Sequence, residues 1–180
     1  MSNFRIDYLS HKVLIVKIRS ATPSDLDAIV EVFRACWSIS YKDLLPLKVQ
    51  QDMTLDVARH MWSAAVQPHA DRSTLLAEFD DKVVGIARIG IDPDNANLGH
   101  LFSLYVHPDS SGKGFGRKLL LEAMRHIGQK GFTSQSLWVF KDNRTAKNLY
   151  LSEGFTLTGE ERIDPRWQIP ETKMVLNVKP

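Results

Sequence analysis

The sequence predicts a single mixed α/β domain, and three observations carry that reading. Short β-branched runs alternate along the chain with stretches of helical period. At 104–121, LYVHPDSSGKGFGRKLLL, a strand, a glycine-rich turn and an apolar helix follow one another without spacers. The length of 180 residues fits one domain of the usual roughly 100–200 residues, and no repeat, low-complexity linker or second domain interrupts it.

Residues 1–12 carry few organising signals and stay open as a tail or an added edge segment. Residues 12–19, KVLIVKIR, are short and β-branched and predict the first strand. Thr22, Pro23 and Asp25 then supply an N-cap, a proline at the first helical place and an acid at the third, while Leu26, Ile29, Val30, Phe33 and Trp37 keep a helical period. A helix of about 15 residues is expected there. The segment 36–46 breaks the pattern and ends in Pro46; a second helix is predicted over 48–66, with Met53, Val57, Met61 and Trp62 at mixed helical spacing. Strands at 73–79 and 82–91 flank Asp80 and Asp81, a tight hairpin without glycine. The turn from Asp92 to Asn95 precedes a strand at 98–106. After the glycine-rich turn, Leu119, Leu120, Ala123, Met124 and Ile127 make one helical face that Gly131 ends. A strand at 136–140 leads to a helix capped by Asp142 or Asn143, with Gly154 at its left-handed end. Strands at 156–160 and 173–178 close the chain around an irregular piece containing Pro165, Trp167 and Pro170.

Composition excludes several classes of partner. The 23 basic and 21 acidic residues nearly cancel, which argues against a nucleic-acid groove or an anionic membrane. One cysteine, Cys36, excludes an internal disulfide, suits a reducing compartment and, beside Phe33 and Trp37, reads as a small buried hydrophobe. The first residues hold no apolar core of signal-peptide length, and no window approaches the roughly 20 apolar residues of a membrane span. A cytoplasmic protein is expected. No cysteine–histidine cluster points to a metal.

The turn at 111–117 has the makings of a phosphate cradle. Gly112, Gly114 and Gly116 let backbone approach a ligand, and the helix behind them offers unpaired N–H groups and a positive dipole end. A P-loop needs a glycine where His107 stands and a Ser or Thr where Gly114 stands; a dinucleotide or kinase loop needs G-x-G-x-x-G spacing. Neither fits. The stretch resembles instead the coenzyme A loop of the GCN5-related N-acetyltransferase (GNAT) superfamily, V-x-P-x-x-[Q/R]-x-x-G-x-[G/A], through Val106, Pro108, Gly114 and Gly116, with Ser111 replacing the usual Gln or Arg. About 30 residues on, Asn143, Ala146, Leu149, Tyr150, Gly154 and Phe155 match that superfamily's N-x-x-A-x-x-L-Y-x-x-x-G-F. The resemblance spans about 18–178 and implies a mostly antiparallel sheet of six or seven strands with helices on both faces.

It also implies a reaction: acetyl transfer from acetyl-CoA to a primary amine of a small molecule or peptide, by direct attack in a ternary complex and without a metal. Leu104, Tyr105 and Val106 would offer strand-edge groups to pantetheine, provided that their strand splays from the next one. Backbone amides of Ser111, Gly112, Lys113, Gly114, Phe115, Gly116 and Arg117 would hold the phosphates, with charge from Lys113 and Arg117, and Asn143 and Tyr150 would border the same site. Tyr150, protonated at neutral pH, is the candidate acid for the departing thiolate. For the base, the superfamily's usual glutamate positions hold His100 and Trp138; His100 is the candidate, since imidazole accepts protons near neutral pH, and water threads to Asp92, Asp94 or the backbone are equally admissible. Trp37, Tyr41 and Leu44-Leu45-Pro46 resemble a W-x-x-x-Y-x-x-L-L-P segment that shapes the acceptor side in one group of these enzymes, and Trp167 is a similar case. Missing carboxylates leave a rival, a non-catalytic acyl-CoA-binding or sensing domain. Acceptor identity, acyl-chain preference and the choice between monomer and homodimer stay open.

Overall fold

The computed structural model describes residues 15–177. In chain order these form β1 (Lys17–Ser20), α1 (Leu26–Ala35), α2 (Leu47–Asp52), α3 (Leu55–Ser63), β2 (Arg72–Phe79), β3 (Lys82–Ile91), β4 (Gly99–Val106), α4 (Phe115–Gln129), β5 (Ser134–Phe140), α5 (Arg144–Ser152), β6 (Thr156–Ile163) and β7 (Pro170–Asn177). Residues 1–12, the start of the expected first strand and Val178 lie outside the described residues.

Local signals explain most boundaries. The Thr22 N–H and hydroxyl both bond the Asp25 carboxylate, and Arg19 grips the same carboxylate with two N–H groups at 2.8 and 2.7 Å. That one cation and the Thr22 donors hold Asp25 well below the usual carboxylate range, the Arg19 hydrogen bonds first. The helix that follows starts as a tight turn at Pro23–Asp25 and ends in a π-turn at Cys36–Ser40. Asp80 and Asp81 both take positive φ, 50° and 59°, the geometry of a hairpin turn whose twist matches its strands. The single helix expected at 48–66 is two helices. Thr54 adopts extended backbone and its hydroxyl accepts the Val57 N–H at 3.2 Å, capping α3 and breaking the run after Met53.

Seven strands make one sheet in the order β1-β2-β3-β4-β5-β7-β6, and only the β4–β5 pair is parallel. This is the mixed, mostly antiparallel sheet flanked by helices that the resemblance implied. Alternate residues of β2 face opposite sides. Leu75 and Ala77 pack with Leu119, Leu120, Ala123 and Tyr150 of α4 and α5, whereas Leu76 joins Ile29, Phe33, Ala58 and Trp62 of α1 and α3. Among the described residues no helix is long and apolar enough to cross a membrane.

One irregularity interrupts the middle of the sheet. Strand β4 pairs with β5 only through Gly99, His100 and Leu101, although it stays paired with β3 as far as Val106. On the β3 side the register slips by one residue, leaving Phe102 as a bulge between the pairs Arg88–Ser103 and Ile89–Leu101. A bulge bends and over-twists its strand, and beyond it β4 and β5 diverge.

Candidate active site

The divergence opens a cleft of about 610 Å³, whose walls are the β5-facing edge of β4, the glycine turn, the start of α4 and one face of α5. Because this part of β4 pairs only with β3, the backbone groups of Leu104 and Val106, which alternate toward its other edge, face the cleft. Gly112 and Gly114 sit at φ 74° and 79°, backbone that a side chain would strain. The first helical bond of α4 is Lys118 N–H to the Gly114 carbonyl at 3.1 Å, so the amides of Phe115, Gly116 and Arg117 remain open at the positive end of a 15-residue helix. The N–H of Ser111 differs from the expected cradle: it is engaged by the Pro108 carbonyl at 3.0 Å.

The structure brings Leu104, Tyr105, Val106, Ser111, Gly112, Gly114, Phe115, Gly116, Arg117, Asn143 and Tyr150 to this one cleft. Lys113 lies outside the lining, its ammonium held by the Asp109 carbonyl at 2.9 Å. Arg117 lines the cleft while pairing with Glu153 at 2.8 Å, which ties α4 to the end of α5. Asn143 caps α5, its side-chain oxygen accepting the Ala146 N–H at 3.0 Å. Cys36 and Ser40 join the lining unforeseen, brought there by the π-turn after α1. The Cys36 thiol bonds the Val106 carbonyl at 3.1 Å, and burial pushes its pKa up to about 12.

A second, smaller chamber of about 80 Å³ shares Tyr41, Leu104, Tyr105, Asn143, Ala146 and Tyr150 with the cleft. Tyr150 therefore borders both. Its side chain is buried, its ring meets Phe155 at 5.9 Å, and its hydroxyl makes no hydrogen bond to the described residues. Burial, then the neighbouring Tyr105, raises the phenol above its ordinary range and keeps it a proton donor.

The far wall of this chamber holds Trp138, Phe140, Asp164, Trp167 and Glu171. Tyr41 and Trp167 thus stand where the sequence suggested, and Trp37 backs Trp167 at 4.7 Å. Glu171 is 6% exposed and bonds the Arg162 guanidinium at 2.9 Å. Burial nonetheless leaves its pKa raised, with Arg162 opposing. Sequence reasoning missed Glu171 because it comes from β7, set beside Phe140 by the β5–β7 register; a lone acid in the strand PETKMVLN was the available signal.

The structure does not bring His100 into either chamber. It is 4% exposed, Nδ1 faces the Ser136 hydroxyl at 2.7 Å, and that hydroxyl donates in turn to Asp92. Burial disfavours charge on Asp92, but the bonds from His100 and Ser136 outweigh it and hold the carboxyl below its usual range. The three side chains link the end of β3 to β4 and β5 at the middle one of the three pairs that join β4 to β5. His100 reaches the chamber only through Phe102, whose ring it meets at 4.7 Å.

Known proteins share this architecture. The coenzyme A complex of PaiA N-acetyltransferase from Thermoplasma acidophilum superimposes with a TM-score of 0.77 at 23% identity, covering 91% of this chain and 99% of that one. Over 157 residues the chain is 26% identical to spermidine N(1)-acetyltransferase of Thermoplasma acidophilum (83% of this chain, 93% of the relative). It is 28% identical over 149 residues to the L-amino acid N-acyltransferase MnaT of Escherichia coli (81% and 82%). Mycothiol acetyltransferase of Thermomonospora curvata is 34% identical over 95 residues, and the chain covers only 30% of its length. Residues 26–155, well over half of the sequence, match the acetyltransferase (GNAT) family, and the chain belongs to that family.

Proposed function

We propose that the protein transfers the acetyl group of acetyl-CoA to the primary amine of a small molecule, by direct attack with both substrates bound. The observation that carries this reading is Tyr150, a buried phenol without a hydrogen-bond partner among the described residues, which borders both the cleft and the acceptor chamber. Acetyl-CoA supplies an activated carbonyl carbon; the chain must orient it and manage protons. In this reading the edge of β4 receives the pantetheine amides, and the open amides of α4 receive the phosphates, with Arg117 at the rim. The amine enters through the second chamber, between Tyr41, Trp167 and Phe140.

An alkyl ammonium with a pKa of about 10.4 is mostly charged at pH 7, and presenting it neutral is worth roughly 4–5 kcal/mol. Glu171 is the carboxylate placed to take that proton, and its raised pKa improves the match. His100 acts in this reading as a positioning residue, holding the apex of the splay. Tyr150 donates to the departing sulfur. Two relatives are named for amine acceptors, spermidine and L-amino acids, which supports an amine here.

The test is thermal melting with acetyl-CoA, coenzyme A, ATP or no ligand, followed by thiol release. Ligand at 100 times its Kd stabilises by about 2.7 kcal/mol, roughly 5–10 °C at this size. A shift with both coenzyme forms and none with ATP is expected; no shift at millimolar coenzyme overturns the reading. Binding without thiol release from any amine makes the protein a sensing domain instead.

A further inference from the structure

Once Tyr150 has given its proton to the departing sulfur, it is a phenolate in a buried place. Burial disfavours that anion, and among the described residues neither a cation nor a hydrogen-bond partner steadies it. The proton therefore has to be replaced as it leaves, by a donor that meets the same junction of cleft and chamber.

Tyr41 meets that junction. Like Tyr150 it lines both spaces, and its hydroxyl likewise makes no hydrogen bond among the described residues. Burial raises its phenol well above the ordinary range, followed by the influence of Tyr105, Tyr150 and Cys36, so Tyr41 and Tyr150 lie close enough to sense each other's charge. The chain holds this side chain firmly. The Tyr41 N–H bonds the Cys36 carbonyl at 2.9 Å, closing the π-turn, and the Tyr41 carbonyl accepts the Leu44 and Leu45 N–H groups at 2.9 and 3.0 Å. Such wide turns often mark functional places, and this one directs Tyr41 at the sheet, where its ring meets Phe140 at 5.6 Å and Tyr105 at 6.0 Å. Those contacts keep it on the side from which the amine enters.

The amine end has a proton to lose where the sulfur end has one to gain. After Glu171 has taken the first proton from the ammonium, attack on the thioester leaves a second one on the nitrogen of the tetrahedral adduct. We propose that Tyr41 is a further catalytic residue, passing that proton to Tyr150 and through it to the sulfur of coenzyme A. The amine lone pair forms the nitrogen–carbon bond, and the carbonyl pair moves onto oxygen. One N–H bond then breaks as its proton goes to the Tyr41 oxygen, the Tyr41 proton goes to the Tyr150 oxygen, and the Tyr150 proton goes to sulfur. The carbon–sulfur pair leaves with sulfur while the oxygen pair re-forms the carbonyl. Amide and free thiol result, both phenols end as they began, and no buried phenolate accumulates. Phenols suit this because each can donate and accept at once. This inference rests on the acetyl-transfer reading and adds a step to it.

Thiol release is screened with acetyl-CoA over a panel of primary amines: spermidine, the standard amino acids and unbranched alkylamines. With the best amine, Tyr41→Phe is expected to lower kcat about 100-fold and to melt within about 4 °C of the parent, because the ring and its aromatic contacts stay. Members of one relay fail together. Combining Tyr41→Phe with Tyr150→Phe is therefore expected to cost no more than about threefold beyond either single variant, whereas independent groups would multiply to about 10⁴. Parental kcat with a raised KM for the amine makes Tyr41 a wall of the chamber and overturns the proposal, as do losses that multiply in the double variant. The parent protein alone provides a second check. With the slowest amine of the panel, where chemistry limits, kcat in mixtures of light and heavy water should bow below a straight line, as expected when several protons move in one step. A straight line means a single proton in flight and refutes the relay. Each of these refutations leaves acetyl transfer standing. Absence of stabilisation by acetyl-CoA, or stabilisation without thiol release from any amine, removes the acetyl-transfer reading and this inference with it.

Discussion

Replacing Tyr150 with phenylalanine removes one oxygen and leaves the ring, so structure and chemistry separate at this position. The ring keeps its edge contact with Phe155 at 5.9 Å and its place in the core with Leu119 and Leu120. Because the hydroxyl bonds nothing among the described residues, its loss costs under about 1 kcal/mol of stability, roughly 4 °C of Tm at most. Catalysis should respond differently. The departing thiolate has a conjugate-acid pKa of about 8.5, and burial keeps the phenol protonated well beyond that. Losing a positioned acid typically costs about 10²–10⁴ in rate, or roughly 3–5 kcal/mol of barrier. With the acceptor identified by the panel above, kcat should fall at least about 100-fold, while the KM for acetyl-CoA stays within about threefold because the phosphate and pantetheine contacts are elsewhere. A kcat within about threefold of the parent's, in a protein that melts normally, would falsify the assignment and move the leaving-group proton to water.

Three other outcomes are expected. Glu171→Gln keeps an acceptor for Arg162 but loses the base, so kcat/KM at pH 7 should drop about 100-fold or more; the deficit should shrink toward pH 10, where solvent deprotonates the amine, and a pH-independent deficit would mark Glu171 as structural. Cys36, with its pKa pushed up to about 12, should react with iodoacetamide far more slowly than a free thiol at pH 8, and coenzyme A should slow it further since Cys36 lines the cleft; rapid modification in the presence of the coenzyme would contradict the cleft assignment. Asp92 is depressed below its unfolded value, so its contribution is present above pH of about 4 and is lost as pH falls through the folded pKa. Asp92→Asn should cost about 2 kcal/mol at pH 7, read by denaturant melts, with the gap between variant and parent narrowing steadily as pH falls below about 4; a gap independent of pH would show that charge on Asp92 contributes nothing.

What could be read from the chain was local. Positive φ at Gly112 and Gly114 demands glycine whatever the rest of the molecule does, and Asn143 caps α5 through a bond only three residues long. Such signals lie within one stretch, and they located the cleft. The break at Thr54 was legible too, as a cap before an apolar run, but it lay inside a stretch where Met53 and Trp62 both point to the same core and so mimic one helix. His100 shows the opposite case. Counting along the strand placed it at a catalytic position, yet Ser136 and Asp92, 36 and 44 residues from their partners in that chain of bonds, hold it in the core. Glu171 reaches the chamber through strand register alone.

In the proposed reading the two halves of the site rest on different physics. The donor half is mostly backbone: open amides of α4, the unpaired edge of β4 and two left-handed glycines, none of which depends on a particular side chain. Ser111 in place of Gln or Arg is tolerable on those terms, because the substitution leaves every one of those amides in place. The acceptor half is side chains drawn from β4, β5, β7 and the loop after β6, so each can change without disturbing the fold. If the donor half is backbone-made, alanine substitutions at Ser111 and Lys113 should leave acetyl-CoA stabilisation within about 1 °C of the parent's, whereas Gly114→Val, which forces a branched side chain into φ 79°, should abolish it. Loss of stabilisation in Ser111→Ala would show that the hydroxyl, and not the cradle, holds the coenzyme.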